Sequence, residues 1–182
     1  MSYKTTRERE AVVKVILGML IMLLASLPAS AQMSSGYVYV FGGPVVVPKS
    51  AYTRWNGDFV HVGGGGEGHF TDRFALGGEI GVLMPVTNPY AVTTALASVT
   101  PAFHFIPRGS KRKFDPFVGG GLSLLAGRGS GFAIHYGGGM NYWLRRRIGL
   151  RFEFRDHIWS PESGEAVHLV DFRVGVVFGL GT

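Results

Sequence analysis

The sequence predicts an all-β chain: an eight-stranded antiparallel up-and-down transmembrane β-barrel, preceded by a cleaved signal peptide. Three observations predict it. Apolar residues recur with a period of two along most of residues 36–180, the spacing that places them on one face of a strand. Glycine supplies 28 of the 182 residues, roughly double the usual share of about 7%. Charged residues make up only 16% of the chain, against 46% hydrophobic. Such a composition suits a sheet whose backbone bends and approaches other backbone closely.

The N-terminal segment reads as an export signal. Lys4, Arg7, Arg9 and Lys14 form a basic start. An apolar core follows from Val15 to Ala25, and Ser26-Leu27-Pro28 ends it. Ala29-Ser30-Ala31 then supplies the small-x-small cleavage site, which makes Gln32 the first mature residue. A retained membrane helix needs about 20 apolar residues, well beyond the length of this core. The expected organisation is therefore a signal peptide over 1–31 and a barrel domain over 32–182. No later stretch approaches the length of a helical span, so any crossing must be made by strands.

Eight segments alternate. The first two, 36–47 and 58–70, are rich in glycine and valine, which blurs their two faces. In the third, Phe74, Leu76, Ile80, Val82 and Met84 oppose Ala75, Gly77, Glu79 and Gly81. The fourth (95–106) places Val99, Phe103 and Phe105 on its apolar face, and the fifth (114–126) places Val118, Leu122 and Leu124 there. The sixth (132–145) sets Phe132, Ile134, Tyr136, Met140, Tyr142 and Leu144 against Ala133, His135, Gly137, Gly139, Asn141 and Arg145. The seventh (148–158) alternates most cleanly: Ile148, Leu150, Phe152, Phe154 and Ile158 against Gly149, Arg151, Glu153, Arg155 and His157. In the eighth, Val170, Phe172, Val174, Val176, Phe178 and Leu180 alternate with Leu169, Asp171, Arg173, Gly175, Val177 and Gly179. Turn-rich stretches separate the segments, and closing an even number of short-connected strands removes the exposed sheet edges.

The face opposite the apolar one decides between a soluble sandwich and a lipid-embedded barrel. A water-facing face carries abundant Lys, Glu and Ser. Here it is glycine, alanine and a few ionic residues, which predicts a narrow lumen too tight for bulky side chains. Its charges, Glu79, Arg151, Glu153, Arg155, Asp171 and Arg173, have both signs and are expected to pair, because an unpaired buried charge is very costly. With both termini periplasmic, Phe70, Phe74, Phe103, Phe105, Phe114, Tyr142 and Phe178 fall near one rim, as an aromatic girdle does. Asp156 and His168, the two polar residues that interrupt the apolar faces, fall near the outer rim.

Across the mature chain the sequence resembles the small bacterial outer-membrane barrel families of the OmpA transmembrane-domain and OmpX type. The specific part is the C-terminus, where Arg173-x-Gly175-x-x-Phe178-x-Leu180 matches the spacing of their assembly signal. Family members usually finish on an aromatic residue, whereas this chain has Leu180 and continues through Gly181-Thr182. The resemblance implies an outer-membrane location, recognition by the barrel-assembly machinery, escort by periplasmic chaperones, and contact with outer-membrane lipids and lipopolysaccharide. A monomer is expected.

Other chemistries find little support. The absence of cysteine excludes thiol catalysis, cysteine-ligated metals and a lipidated N-terminal cysteine. The net charge of +6 is concentrated in Lys111-Arg112-Lys113 and Arg145-Arg146-Arg147. Both runs fall at predicted turns facing lipid headgroups, and no nucleic-acid partner is expected. Gly63-Gly64-Gly65-Gly66-Glu67-Gly68 is followed by neither Gly-Lys-Ser/Thr nor a helix, so it lacks the parts of a phosphate loop. The six histidines show no metal-ligand spacing, although His61, His69 and Glu67 share one strand face. No catalytic, cofactor-binding or metal residue is assigned. Two alternatives stand beside a structural or surface-interaction barrel. One is a lipid A-modifying hydrolase using His157, Ser160 and Glu162 or Glu165, although residues three apart on a strand point to opposite faces. The other is a narrow conduit for small hydrophobic ligands. Among the loops, 48–57, with Tyr52, Arg54 and Trp55, offers the contact surface.

Overall fold

The computed structural model describes residues 36–48, 58–86, 93–127, 130–160 and 166–180. They form eight strands: β1 (Gly36–Val46), β2 (Asp58–His69), β3 (Phe74–Pro85), β4 (Thr94–His104), β5 (Phe114–Ala126), β6 (Gly131–Arg145), β7 (Ile148–Trp159) and β8 (Val167–Leu180). Each strand pairs antiparallel with its sequence neighbour, and β1 pairs with β8 from Gly36↔Leu180 to Val46↔Val170, closing the barrel. Every strand of a closed barrel is paired on both sides, the condition a sheet must meet in hydrocarbon. The register of the two glycine-rich strands runs without interruption from Gly36↔Gly68 to Val46↔Asp58. The signal segment, the 49–57 stretch with Tyr52, Arg54 and Trp55, Glu162, Glu165 and Gly181-Thr182 lie outside the described residues.

The strands follow the alternation closely, with only two differences of more than one residue at their ends. β4 stops at His104, short of the expected Ile106, because the chain folds back onto the neighbouring turn. The His104 amide donates to the Arg73 carbonyl at 2.7 Å and the Arg108 amide to that of Asp72 at 2.9 Å. β8 begins at Val167, where it pairs with Trp159.

The barrel is apolar outside and polar within. Ile80, Ile134, Leu122 and Val40 are 58–72% exposed on the outer wall, whereas Glu79, Glu153, Asp171, Arg151, Arg155 and Arg173 are buried in the lumen. Rings at the end bearing the termini pack into a partial girdle. Phe74 meets Phe70 at 6.2 Å and Phe103 at 5.1 Å, Phe103 meets Phe105 at 5.4 Å, and Phe114 meets Tyr142 at 5.0 Å between centroids. Such contacts contribute about 0.5–1.5 kcal/mol each beyond area burial. On the outer wall near the opposite end, Asp156 accepts a hydrogen bond from the Tyr136 hydroxyl at 3.1 Å and pairs with His168 Nδ1 at 2.8 Å. The polar residues that interrupt the apolar faces thus satisfy one another.

One expectation is corrected. The lumen is not restricted to small and ionic side chains: Tyr39, Phe41, Phe59, Phe117 and Trp159 are buried in it. The lumenal glycines make the room. A Cβ at Gly139 would stand 2.7 Å from Phe117 Cζ, and one at Gly65 would stand 2.9 Å from Tyr39 Cζ. Missing side chains on one strand therefore accommodate rings from another, an alternation of small and large that fills a tapered barrel.

Candidate functional site

Strand parity assembles the lumen. Odd-numbered residues point inward on every strand except β4, where even-numbered residues do. The interior is layered as a result. At the end away from the termini, Val45, Phe59, Leu83, Leu96, Leu125, Trp159, Val167 and Leu169 form an apolar plug with Val47 and Ala133. Next comes a layer of hydroxyl and imidazole groups. Ser123 Oγ lies 2.8 Å from Ser98 Oγ, 2.8 Å from His135 Nδ1 and 3.1 Å from His157 Nδ1, and Thr100 Oγ1 meets His135 Nε2 at 2.9 Å.

The charged belt occupies the middle. Glu79 Oε1 accepts from Arg155 Nη1 at 2.6 Å and Arg173 Nη1 at 2.8 Å, while the Tyr39 hydroxyl donates to Oε2 at 3.3 Å. Glu153 Oε1 accepts from Nε and Nη2 of Arg155, and Glu153 Oε2 from Arg151 Nε at 3.1 Å. Arg173 Nη2 lies 2.7 Å from Glu153 Oε1 but out of hydrogen-bond alignment, a charge contact only. Asp171 Oδ2 meets His61 Nδ1 at 2.7 Å and Arg173 Nε at 3.6 Å. Aromatic faces cover the guanidinium groups: Arg151 sits 4.0 Å from the Phe117 centroid and 4.5 Å from that of Tyr39, and Arg173 sits 4.3 Å from that of Phe41. Such cation–π contacts strengthen when desolvated.

All six residues singled out from sequence, Glu79, Arg151, Glu153, Arg155, Asp171 and Arg173, belong to this connected network. It also extends beyond them. Arg151 Nη2 lies 3.5 Å from Glu67 Oε2, and Glu67 Oε1 meets His104 Nε2 at 2.8 Å. His104 Nδ1 meets Asp115 Oδ1 at 2.9 Å, and Asn141 Nδ2 donates to Asp115 Oδ2 at 3.1 Å. From sequence Glu67 is placed only on a shared strand face with His61 and His69, and His104 and Asp115 were missed because the fourth and fifth segments alternate loosely. Their parity is nevertheless the signal that finds them.

The remaining candidates separate. In the assembly motif, Arg173 is buried, and a Cβ at Gly175 would stand 2.2 Å from the Val40 carbonyl oxygen. Phe178 and Leu180 are 40% and 51% exposed. The cleavage residues Ala29 and Ala31 lie outside the described residues. His157 is buried against Ser123, while Ser160 is exposed at the end of β7, so the two are not joined. The cavity lined by Tyr39, Glu67, Phe117, Arg151, Glu153 and Arg155 measures about 10 Å³, room for about one water.

No protein-family model matches the chain, and no curated protein is significantly similar to it in sequence. Its architecture does match solved structures. The N-terminal β-barrel domain of Pseudomonas aeruginosa OprF superposes with a TM-score of 0.56 at 19% identity, over 80% of this chain and 97% of that one. Neisserial surface protein A superposes with a TM-score of 0.62 at 14% identity, over 79% and 96% of the two chains. Ail, the attachment invasion locus protein of Yersinia pestis, gives 0.50 at 11% identity, over 80% and 97%. The fold of this chain is that of the small eight-stranded transmembrane β-barrels found among outer-membrane proteins.

Proposed function

We propose that the chain is a non-enzymatic outer-membrane barrel with a structural or surface-interaction role, its lumen filled by the charged side-chain network and closed to diffusion. One observation carries this reading: the closed barrel is inverted, with apolar side chains outside and paired charges within. A belt of large exposed hydrophobics around the whole wall is tolerated where lipid covers it. Outer-membrane lipids and lipopolysaccharide are then its surroundings, with Asp156, His168 and Tyr136 near the outer interface. Arg173, Gly175, Phe178 and Leu180 serve recognition by the barrel-assembly machinery after chaperone escort, and the barrel works as a monomer. Eight strands leave a lumen that side chains can fill, and the mixed-sign network fills this one. The likeness to a Neisserial surface protein and an attachment protein is consistent with a surface role. Hydrolysis of lipid A is disfavoured because His157 faces the lumen and is packed against Ser123.

Cell fractionation tests location and fold. The protein is expected in the outer-membrane fraction, with different gel mobility before and after heating; recovery as a soluble periplasmic protein overturns the reading. Lipid A acylation is expected to be identical with the intact protein and with His157→Ala. A difference between them assigns an enzymatic role instead.

A further inference from the structure

At the end of the lumen bearing the termini, the last residues of β2 and β4 bring together groups that the ion-pair belt does not fully use. Glu67, His69 and His104 are 5%, 3% and 1% exposed, and one donor atom from each lies within 4.8 Å of the other two. Three features make this more than a chance cluster. His69 Nδ1 is buried with no hydrogen-bond partner among the described residues, an arrangement that costs about 1–3 kcal/mol when nothing satisfies it. Glu67 divides its carboxylate: Oε2 faces Arg151 at 3.5 Å, and Oε1 stands 2.8 Å from His104 Nε2. His104 Nδ1 in turn lies 2.9 Å and 3.0 Å from the two Asp115 oxygens. A carboxylate on the far nitrogen of a ligating histidine fixes its tautomer and raises its basicity. Asn141 holds Asp115 from the other side at 3.1 Å. The Tyr37 ring walls the group, 5.0 Å from His69 and 6.1 Å from His104.

We propose that Glu67, His69 and His104 form a binding site for a divalent metal ion of the zinc class, with Asp115 orienting His104. Two imidazoles and one carboxylate oxygen are a ligand set that zinc accepts, leaving a fourth position for water. A tetrahedral ion about 2.0–2.1 Å from each ligand sets them about 3.3 Å apart, so binding parts Glu67 Oε1 and His104 Nε2 from their 2.8 Å contact and draws His69 inward. His104 Nδ1–H donates to Asp115, the proton between His104 Nε2 and Glu67 Oε1 leaves to solvent as the ion binds, and Glu67 contributes one oxygen while Arg151 keeps the other. The ion ties β2 to β4, and through Asp115 to β5, at the mouth of the barrel.

The test uses the untagged protein purified from membranes in detergent, stripped with a chelator and titrated with Zn²⁺ alone by calorimetry. One ion per barrel is expected, and cobalt(II) in its place should give the visible absorption of a four-coordinate site. His69→Ala removes a ligand without breaking a described hydrogen bond, so it should keep the heat-dependent gel shift of the folded barrel while affinity falls at least tenfold. Asp115→Asn should weaken binding by about 10- to 100-fold. His157→Ala, in the Ser123 layer, should bind as the parent does. Absence of binding overturns the proposal, as does unchanged affinity in the folded His69→Ala protein. Loss of binding in His157→Ala with retention in His69→Ala also overturns it, by moving the site elsewhere in the lumen.

Discussion

Replacing Arg155 with methionine tests whether the charged belt is a dry, closed network. Arg155 is 2% exposed and bonds Glu79 through Nη1 at 2.6 Å and Glu153 through Nε at 3.1 Å and through Nη2. The belt's acids Glu79, Glu153 and Asp171 balance Arg151, Arg155 and Arg173, three against three. Methionine preserves much of the side-chain volume but leaves one carboxylate in excess, at sites only 6% and 9% exposed. Breaking a buried pair by removing one partner costs about 3–5 kcal/mol, a factor of roughly one hundred to several thousand in the unfolding constant. Glu79→Gln should also destabilise, by removing the charge that Arg155 Nη1 and Arg173 Nη1 both bond. The double variant restores the balance, and Arg173 keeps Glu153 as a charge partner at 2.7 Å. Its loss should therefore fall short of the sum of the single losses by roughly 1–3 kcal/mol, as expected for residues in one network. Equilibrium urea unfolding in lipid vesicles, followed by tryptophan fluorescence, measures all four proteins. Additive losses, or a loss below about 1 kcal/mol for Arg155→Met alone, would show that water reaches these charges and would refute the reasoning.

Substitutions elsewhere on the wall and in the lumen test the same geometry. Gly139→Val should sharply lower the heat-shifting folded fraction on gels, because its Cβ would meet the Phe152 carbonyl oxygen at 2.2 Å and the Phe117 ring at 2.7 Å. Gly78→Ala, with nothing within 4 Å, should fold as the parent does, within about 0.5 kcal/mol. In vesicle unfolding, Phe154→Arg should cost about 2–4 kcal/mol at mid-wall, whereas His168→Arg near the rim should cost about 0–1 kcal/mol. Ser123→Ala removes the hub shared by Ser98, His135 and His157, and thermal unfolding should register a loss of about 1–3 kcal/mol for the groups left unpaired.

What was legible in the sequence followed from strand parity. On β7 and β8, where bulky apolar residues alternate with ionic ones over Leu150–Arg155 and Val170–Val174, parity alone placed Arg151, Glu153, Arg155, Asp171 and Arg173 together. On β2, valine and glycine are compatible with either face, so Glu67 could be linked only to His61 and His69, and the looser alternation of β5 gave Asp115 no comparable signal. Their partners follow from inter-strand register, which a single strand does not encode. The aromatic filling was hidden for another reason. Tyr39, Phe41 and Phe117 read as too large for a narrow lumen until their rings are seen against Gly65, Gly63 and Gly139 on other strands. The room belongs to one segment and the ring to another. The pairing of Asp156 with Tyr136 and His168 likewise requires three adjacent strands to be in register. The sequence placed the polar interruptions near one rim but could not reveal that they bond to one another.

Ion conductance across planar bilayers holding the purified protein is the sharpest test of the proposed seal. Membrane insertion with no current steps above the protein-free baseline is expected, because the cavity lined by Tyr39, Glu67, Phe117, Arg151, Glu153 and Arg155 measures about 10 Å³. Stable, reproducible conductance steps from the folded protein would contradict it.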